Sequence, residues 1–218
     1  MRFEYVELEG SPLVVDAIYM AKDIDPLPKL KPGVAASGGI RTARTSPKAK
    51  DPCFIALQMT GKEKTWPDFV DPKTGICTYF GDNKKPENEL LATRGNKELA
   101  RVFSRSLDSK ESRIQSPPFF LFENARGEKG KTMRFRGLAV PGSPFPRHQW
   151  CQSTRFTTED TSYWNLVVAL TVLAVNTIPC GWIRELKKGE VLGESCPNWY
   201  RHWVETGERI AMSRSNNN

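Results

Sequence analysis

A short block between Trp66 and Lys97 combines the side chains that could hold a single nucleobase. It contains aromatic rings (Trp66, Tyr79, Phe80), carboxylates and an amide (Asp68, Asp82, Asn83) and cations (Lys84, Lys85, Arg94, Lys97). A protein that reads a modified base lifts it out of the duplex, stacks it on aromatic faces and tests its edge with hydrogen bonds. A carboxylate suits cytosine, because the exocyclic amine of cytosine is a donor and needs an acceptor. The block therefore predicts a pocket for a flipped cytosine.

The same residues also fit a structural interpretation. Trp66 could pack beneath a strand, and Asp82 followed by Asn83 is a common pair for a local Asx turn. Both interpretations stay open at this stage.

A cationic segment precedes the block. Residues 29–50 contain six basic residues and no acid, set among glycines at 33, 38 and 39; the basic residues are Lys29, Lys31, Arg41, Arg44, Lys48 and Lys50. Glycines would let this backbone approach a phosphate chain while the cations neutralise it. The alternative is a solvated linker. The whole chain has 32 Lys and Arg against 25 Asp and Glu, a net charge of +7, which favours a polyanionic partner.

Composition excludes several classes of protein. Only two histidines occur, too few for a His-rich nuclease site. The five cysteines are odd in number and never form CxxC, so they predict neither a disulfide framework nor a zinc knuckle. The longest apolar run, residues 166–175, is shorter than the ~20 residues of a membrane-spanning helix. We expect a cytoplasmic protein with no cofactor, no bound metal and no membrane partner.

The elements that must position the block are of mixed type. Alternating apolar residues predict strands near 3–20, 53–61 and 76–80, and a hairpin from residues 116–124 and 132–142. In that hairpin Arg134 and Arg136 should face away from Met133 and Phe135, and we expect both arginines to contact phosphates. The β-branched residues of 165–175 favour another strand. Helices are predicted at 97–107 with Asn96 as N-cap, at 182–188 and at 198–205.

Several segments together resemble a known family. They are TGICTYFGDNKKP (74–86), RGNKELARVF (94–103), the loop at 38–41, MRFRGLAVPG (133–142), IPCGWIRELKKG (178–189) and PNWYRHWVETG (197–207). In this order they are similar to the DNA-reading half of the AspBHI/MspJI-type modification-dependent restriction endonucleases. The resemblance implies an α+β fold, an SRA-like curved β-barrel with flanking helices over residues 1–210, and a disordered polar tail at 211–218.

The resemblance also implies roles for individual residues. Tyr79 would stack on a flipped 5-methylcytosine and Asp82 would accept from its amine. The step from Tyr79 to Asp82 is shorter than in SRA domains, so Asp68 or Asn83 could take the role of Asp82. Three residues, Arg94, Asn96 and Lys97, would fill the space that the base leaves. Arg41 would bond a guanine edge from the opposite groove.

These observations predict a DNA-binding reader without catalysis of its own. Its partners would be double-stranded DNA containing modified cytosine and a C-terminal nuclease domain in the full-length protein. One alternative is a small metal-dependent nuclease of the PD-(D/E)xK type, for which Glu185-Leu186-Lys187 with Asp160 upstream is the tidiest candidate. Another is a non-specific binder of single strands that uses the same aromatic rings as stacking platforms.

Overall fold

A computed structural model describes residues 1–4, 7, 9–21, 38–61, 66–125, 131–157 and 159–213. The strands of these residues are β1 (Arg2–Phe3), β2 (Leu13–Val14), β3 (Ile18–Ala21), β4 (Ile40–Ala43), β5 (Phe54–Met59), β6 (Phe69–Val70), β7 (Ile76–Phe80), β8 (Phe119–Asn124), β9 (Lys131–Pro141), β10 (Cys151–Thr157), β11 (Ser162–Val172) and β12 (Thr177–Ile178). The helices are α1 (Arg94–Ser104), α2 (Lys110–Ile114), α3 (Cys180–Lys188) and α4 (Asn198–Thr206).

Ten of the strands form one sheet. Its main path runs β4-β5-β8-β9-β11-β7-β6, with β3 joined to β9, β1 to β3 and β10 to β11. Most pairs are antiparallel, but β1 with β3 and β5 with β8 are parallel, and Ile55 lies opposite Phe119 in the latter pair. Strands β2 and β12 form a separate pair.

The large sheet is curved but not closed, which corrects the expected barrel. Among the described residues, β4 and β6 at the two ends of the path share no strand pairing. The two ends nevertheless approach each other, since a Cβ atom on Gly39 would lie 2.8 Å from the Tyr79 hydroxyl oxygen. We call this gap between β4–β5 and β6–β7 the seam. The fold is α+β, as expected.

Each face of the sheet covers a separate part of the core. On one face α1 contributes Leu99 and Val102, which pack with Leu57 and Leu170. On the other face Trp182 of α3 lies against Phe120, with ring centroids 6.1 Å apart. Alternating side chains on β5 and β8 supply both faces, because successive residues of a strand point in opposite directions.

Helix α1 begins three residues earlier than the sequence suggests. Its N-cap is Thr93, whose hydroxyl accepts from the Asn96 backbone N–H. The predicted helix at 97–107 with Asn96 as its cap is therefore wrong in its boundaries. Asn96 is fully buried within the first turn, and its side chain bonds to other segments.

The other elements agree more closely with their patterns. Strand β11 confirms the strand predicted at 165–175, and β8 with β9 confirms the hairpin. Helices α3 and α4 end at Gly189 (φ 89°) and Gly207 (φ 83°), both in the left-handed conformation. The hairpin turn at 126–130, the cationic residues before position 38 and the end of the tail at 214–218 lie outside the described residues. No helix among the described residues is long and apolar enough to span a membrane.

Candidate nucleic-acid interface

A cavity of about 110 Å³ lies at the seam. One wall comes from the β4–β5 side, with Gly39, Gln58 and Thr60, and the other from residues 66–84. The cavity is smaller than the ~300–1,000 Å³ of pockets for drug-sized ligands, so its scale is that of one flat ring. Because the two walls are not hydrogen-bonded to each other as strands, their side chains define the opening.

The aromatic wall is held in place by the β10–β11 hairpin. Trp66 is 7% exposed and its ring centroid lies 5.1 Å from that of Phe80. Behind it, Phe156 and Tyr163 contact the indole edge to face, at centroid distances of 5.6 and 6.1 Å. Trp66 therefore packs in an aromatic cluster, as the structural interpretation expects, and also lines the cavity, while its contact with a base stays a prediction.

Tyr79 forms the floor between the two walls. It is 3% exposed, and burial followed by the neighbouring Asp68 raises the pKa of its phenol well above its ordinary value. The phenol is consequently neutral at physiological pH. Position 39 must be small, because a side chain there would press on the Tyr79 hydroxyl.

Two carboxylates line the cavity, and they differ in their hydrogen-bond partners. Asp82 accepts from the backbone N–H groups of Gly95 and Asn96, at 3.2 and 3.1 Å, and from the Thr93 hydroxyl. Both of its oxygens thus cap the first turn of α1. In contrast, one oxygen of Asp68 accepts from the Phe80 N–H at 2.8 Å and ties β7 to the segment before β6. Of the two acids, Asp82 is the one committed to a helix terminus.

Arg41 supports the opposite wall from inside. Only 3% of the residue is exposed; its Nε donates to the Gly38 carbonyl at 2.7 Å and its Nη2 to the Gln58 side chain. Gln58 in turn donates to Asn124 at 2.7 Å. Arg41 therefore lies behind the cavity and orients the Gln58 side chain. This geometry gives no support to the predicted contact of Arg41 with a guanine edge.

Two asparagines predicted to touch DNA are fully buried and serve the backbone. Asn83 donates to the Trp164 carbonyl at 2.8 Å and accepts from the Lys85 N–H at 3.2 Å, as an Asx turn does. Asn96 donates to the Leu90 carbonyl at 2.7 Å and to Asn165 at 3.1 Å. Asn83 is not among the residues that line the cavity.

The predicted cations divide into two groups. Lys84, Lys85, Arg94 and Lys97 are exposed around the seam, and Arg44 lies nearby on the segment after β4. Arg134 and Arg136 lie on β9, in the middle of the sheet, facing away from Met133 and Phe135 as expected. Arg136 is paired there with Asp16 at 2.7 Å and Glu123 at 3.4 Å, so its position favours a role within the fold.

Sequence reasoning missed three residues near the seam. Gln58 reads as an ordinary member of an apolar strand, yet it lines the cavity. Trp164 is 46% exposed on β11, directly opposite Arg155, whose guanidinium lies 5.9 Å from the indole centroid. No alternation in the sequence singles out this pair, because Trp164 and the buried Leu166 are two residues apart and share one face of β11.

Comparison with known proteins gives the family. Residues 13–215 match the family model described as restriction endonuclease AspBHI N-terminal. The chain belongs to this family. Among curated proteins nothing matches.

Three solved structures have a similar fold. The DNA recognition domain of the cytosine modification-dependent restriction endonuclease LpnPI has a TM-score of 0.89 and 24% identity, over 100% of this chain and 98% of that chain. The DNA modification-dependent restriction endonuclease AspBHI has a TM-score of 0.87 and 30% identity, over 99% and 100%. MspJI restriction endonuclease in complex with a 27-mer oligonucleotide has a TM-score of 0.66 and 22% identity, over 85% and 46%.

This member of the AspBHI N-terminal family matches recognition domains rather than catalytic ones. Its E-x-K sequence is consistent with that distinction. Glu185 accepts from the Ser195 N–H, whereas Lys187 donates to the Arg44 carbonyl at 2.8 Å, so the two side chains of α3 serve different neighbours. Among the described residues no group of three His, Cys, Asp or Glu could hold a metal ion. The geometry gives the nuclease alternative no support.

Proposed function

We propose that this chain recognises 5-methylcytosine, or another modified cytosine, in double-stranded DNA by flipping the base into the cavity at the seam. The observation that carries the proposal is the cavity itself, which has the scale of one ring, one aromatic wall and two carboxylates. Aromatic faces stack on an extruded base, and apolar surface suits a methyl group on its ring. Membership in the AspBHI N-terminal family supports the proposal.

Asp68 is our candidate for the acceptor of the cytosine amine. Both oxygens of Asp82 accept hydrogen bonds from the N-terminus of α1, and rotating that carboxylate toward a base would leave the Gly95 N–H without an acceptor. Asp68 accepts from the Phe80 N–H and lines the cavity without capping a helix, and a carboxylate can accept about four hydrogen bonds. The role that the family resemblance gave first to Asp82 therefore passes to Asp68, the alternative named with it.

The cations around the seam would hold the duplex over the cavity. Lys84 lines the cavity, and Lys85, Arg94 and Lys97 are exposed beside it. Contacts of this kind fix the register of a protein on DNA and make binding dependent on salt. The exposed Trp164 with Arg155 adds a surface on which an unpaired base could stack. Cleavage would come from a separate nuclease domain of the full-length protein.

Fluorescence anisotropy with two duplexes of one sequence tests the proposal, one with a single 5-methylcytosine and one with plain cytosine. Wild type should prefer the methylated duplex. Asp68→Ala should lose about 10- to 100-fold on that duplex, as expected when a base-specific hydrogen bond is removed. Glu87→Ala is the matched control, because it removes the same charge from an exposed loop position.

Two outcomes would contradict the proposal. Equal affinity of the wild type for both duplexes would exclude reading of the modification. Equal losses in Asp68→Ala and Glu87→Ala would remove Asp68 from the pocket. A preference for unpaired strands with indifference to methylation would instead favour the single-strand binder.

A further inference from the structure

A second concave surface lies beside α1, at the far end of β4 from the cavity. It encloses about 360 Å³ between the segment after β4, the start of α1 and the end of α3. We call it the basic groove and define it by Thr42, Arg44, Thr45, Ser46, Arg94 and Lys187. Three of these side chains are cations and three carry hydroxyl groups, the composition that suits a phosphate.

The cations of the basic groove converge on one another. Arg44 donates from Nη1 to the Thr42 hydroxyl at 2.8 Å, and Arg94 donates from Nη2 to the same oxygen at 3.5 Å. Lys187 reaches over from α3 and donates to the Arg44 carbonyl at 2.8 Å. Like charges held this close repel each other, so the arrangement favours an anion that all three could contact.

Neighbouring carboxylates neutralise this charge only in part. Glu98 pairs with Arg44 but is shared with Arg101 of the same helix. Within the described ranges, neither Arg94 nor Lys187 has a carboxylate at ion-pair distance. Two of the three cations therefore keep their charge available to a ligand.

The start of α1 joins the basic groove to the cavity. Arg94 lies in the groove, and the next residue, Gly95, donates its N–H to Asp82 in the cavity wall. Along β4, Gly39 of the cavity and Thr42 of the groove are three residues apart, which is roughly 10 Å of extended strand. Phosphates of one DNA strand advance about 3.4 Å each along the duplex axis. The groove thus lies within about five nucleotides of the flipped base.

We propose that the basic groove binds a backbone phosphate of the DNA strand whose base enters the cavity, with Lys187 as a phosphate ligand. This proposal rests on the proposed function and extends it, because the groove would contribute affinity that is independent of the base modification. Lys187 reaches the groove from a helix that lines no part of the cavity. Its effect on binding can therefore be measured apart from base recognition.

The test compares Lys187→Gln with Lys188→Gln. Both remove one charge from the last turn of α3, but Lys188 is exposed and does not line the groove. Gln at position 187 keeps an N–H donor for the Arg44 carbonyl, which preserves the local fold. The affinity of each variant for methylated and plain duplexes is measured by anisotropy across a salt series.

Lys187→Gln should reduce the slope of log affinity against log salt by about 0.9, the value of one phosphate contact. It should weaken binding to both duplexes by the same factor and leave the methylation preference intact. Lys188→Gln should leave the slope unchanged. Equal slopes in the two variants would overturn the proposal.

Duplexes carrying single uncharged methylphosphonates locate the contact. A methylphosphonate at one position, within about five nucleotides of the modified cytosine, should weaken DNA binding by the wild type. The same substitution should cause no further loss of affinity in Lys187→Gln. Additive losses at every position would exclude a direct contact. A failure of the proposed function has a different signature, because it removes the methylation preference of wild type while the slope difference between the two variants persists.

Discussion

The cavity and the basic groove lie side by side but are lined by different kinds of side chain. The cavity is formed by side chains between strands, with aromatic rings, two acids and a buried phenol. The groove is formed by a loop and two helix ends, with cations and hydroxyl groups. Aromatic rings and acids discriminate between bases, whereas cations attract any phosphate chain. In the proposed function, base discrimination and affinity for the DNA backbone therefore belong to different elements of this fold.

Helix α1 connects these two regions. Asp82 in the cavity wall caps the same helix terminus from which Arg94 enters the groove. A rigid link of this kind would set the distance between a bound phosphate and the flipped base. A variant in the cavity should therefore change the methylation preference and a variant in the groove should change the salt slope. A variant of Asp82 should change both quantities.

Tyr79→Ala should have the largest effect, because it removes the floor of the cavity and leaves the residues of the basic groove unchanged. Removing a buried aromatic side chain costs about 3–5 kcal/mol of unfolding free energy, measured by urea denaturation. The surviving folded protein should bind both duplexes alike while the salt slope stays at its wild-type value. A reduced slope in Tyr79→Ala would show that the two regions are not separate.

Asp82→Ala should have an intermediate effect on stability, and it tests whether Asp68 or Asp82 is the acid that contacts the base. It leaves the Gly95 N–H without its acceptor and the Asn96 N–H with only the Thr93 hydroxyl, at a cost of about 1–2 kcal/mol in unfolding free energy. Asp160→Ala, an exposed acid in the β10–β11 turn, is the matched control. If Asp82→Ala were as stable as this control but lost the methylation preference, Asp82 would replace Asp68 as the reading acid.

The dependence of the methylation preference on pH should be the smallest of these effects. Burial raises the pKa of Tyr79 well above its ordinary value and that of Tyr19 to about 12. Both phenols stay protonated in the folded chain, so methylation preference should change by less than about twofold between about pH 6 and pH 9. Above about pH 10 the unfolded chain loses phenol protons that the folded chain keeps, and the unfolding free energy should fall. A preference that disappeared near pH 8 would contradict a neutral Tyr79.

The sequence predicted elements well where a local pattern decided them. The β-branched residues of β11 and the glycines after α3 and α4 are signals that act within a few residues. The start of α1 was misplaced because Thr93 and Asn96 are both good N-cap residues, and only the distant Asn165 and Asp82 decide between them. The family resemblance gave the curvature of the sheet but not the open seam.

Individual site residues were harder to predict for the same reason. The sequence placed Trp66, Asp68, Tyr79 and Phe80 close together, and the four residues line one cavity. Arg41 looked like a surface cation because its segment is rich in glycine, and its burial depends on Gln58 of the next strand. The sequence singled out Lys187 only as part of an E-x-K motif and did not connect it with Arg44, because its helix meets the segment after β4 only in three dimensions.

The position of the seam also has a consequence for how this chain folds. The residues that line the cavity lie between Gly39 and Lys84, but their two groups of strands are at opposite ends of the sheet. Between them lie β8, β9 and β11, which extend to Val172. Pairing over such sequence separations is slow, because loop closure must precede the contacts that reward it. We therefore expect the cavity to form late in folding, and a nascent chain cannot assemble it until Val172 has been synthesised.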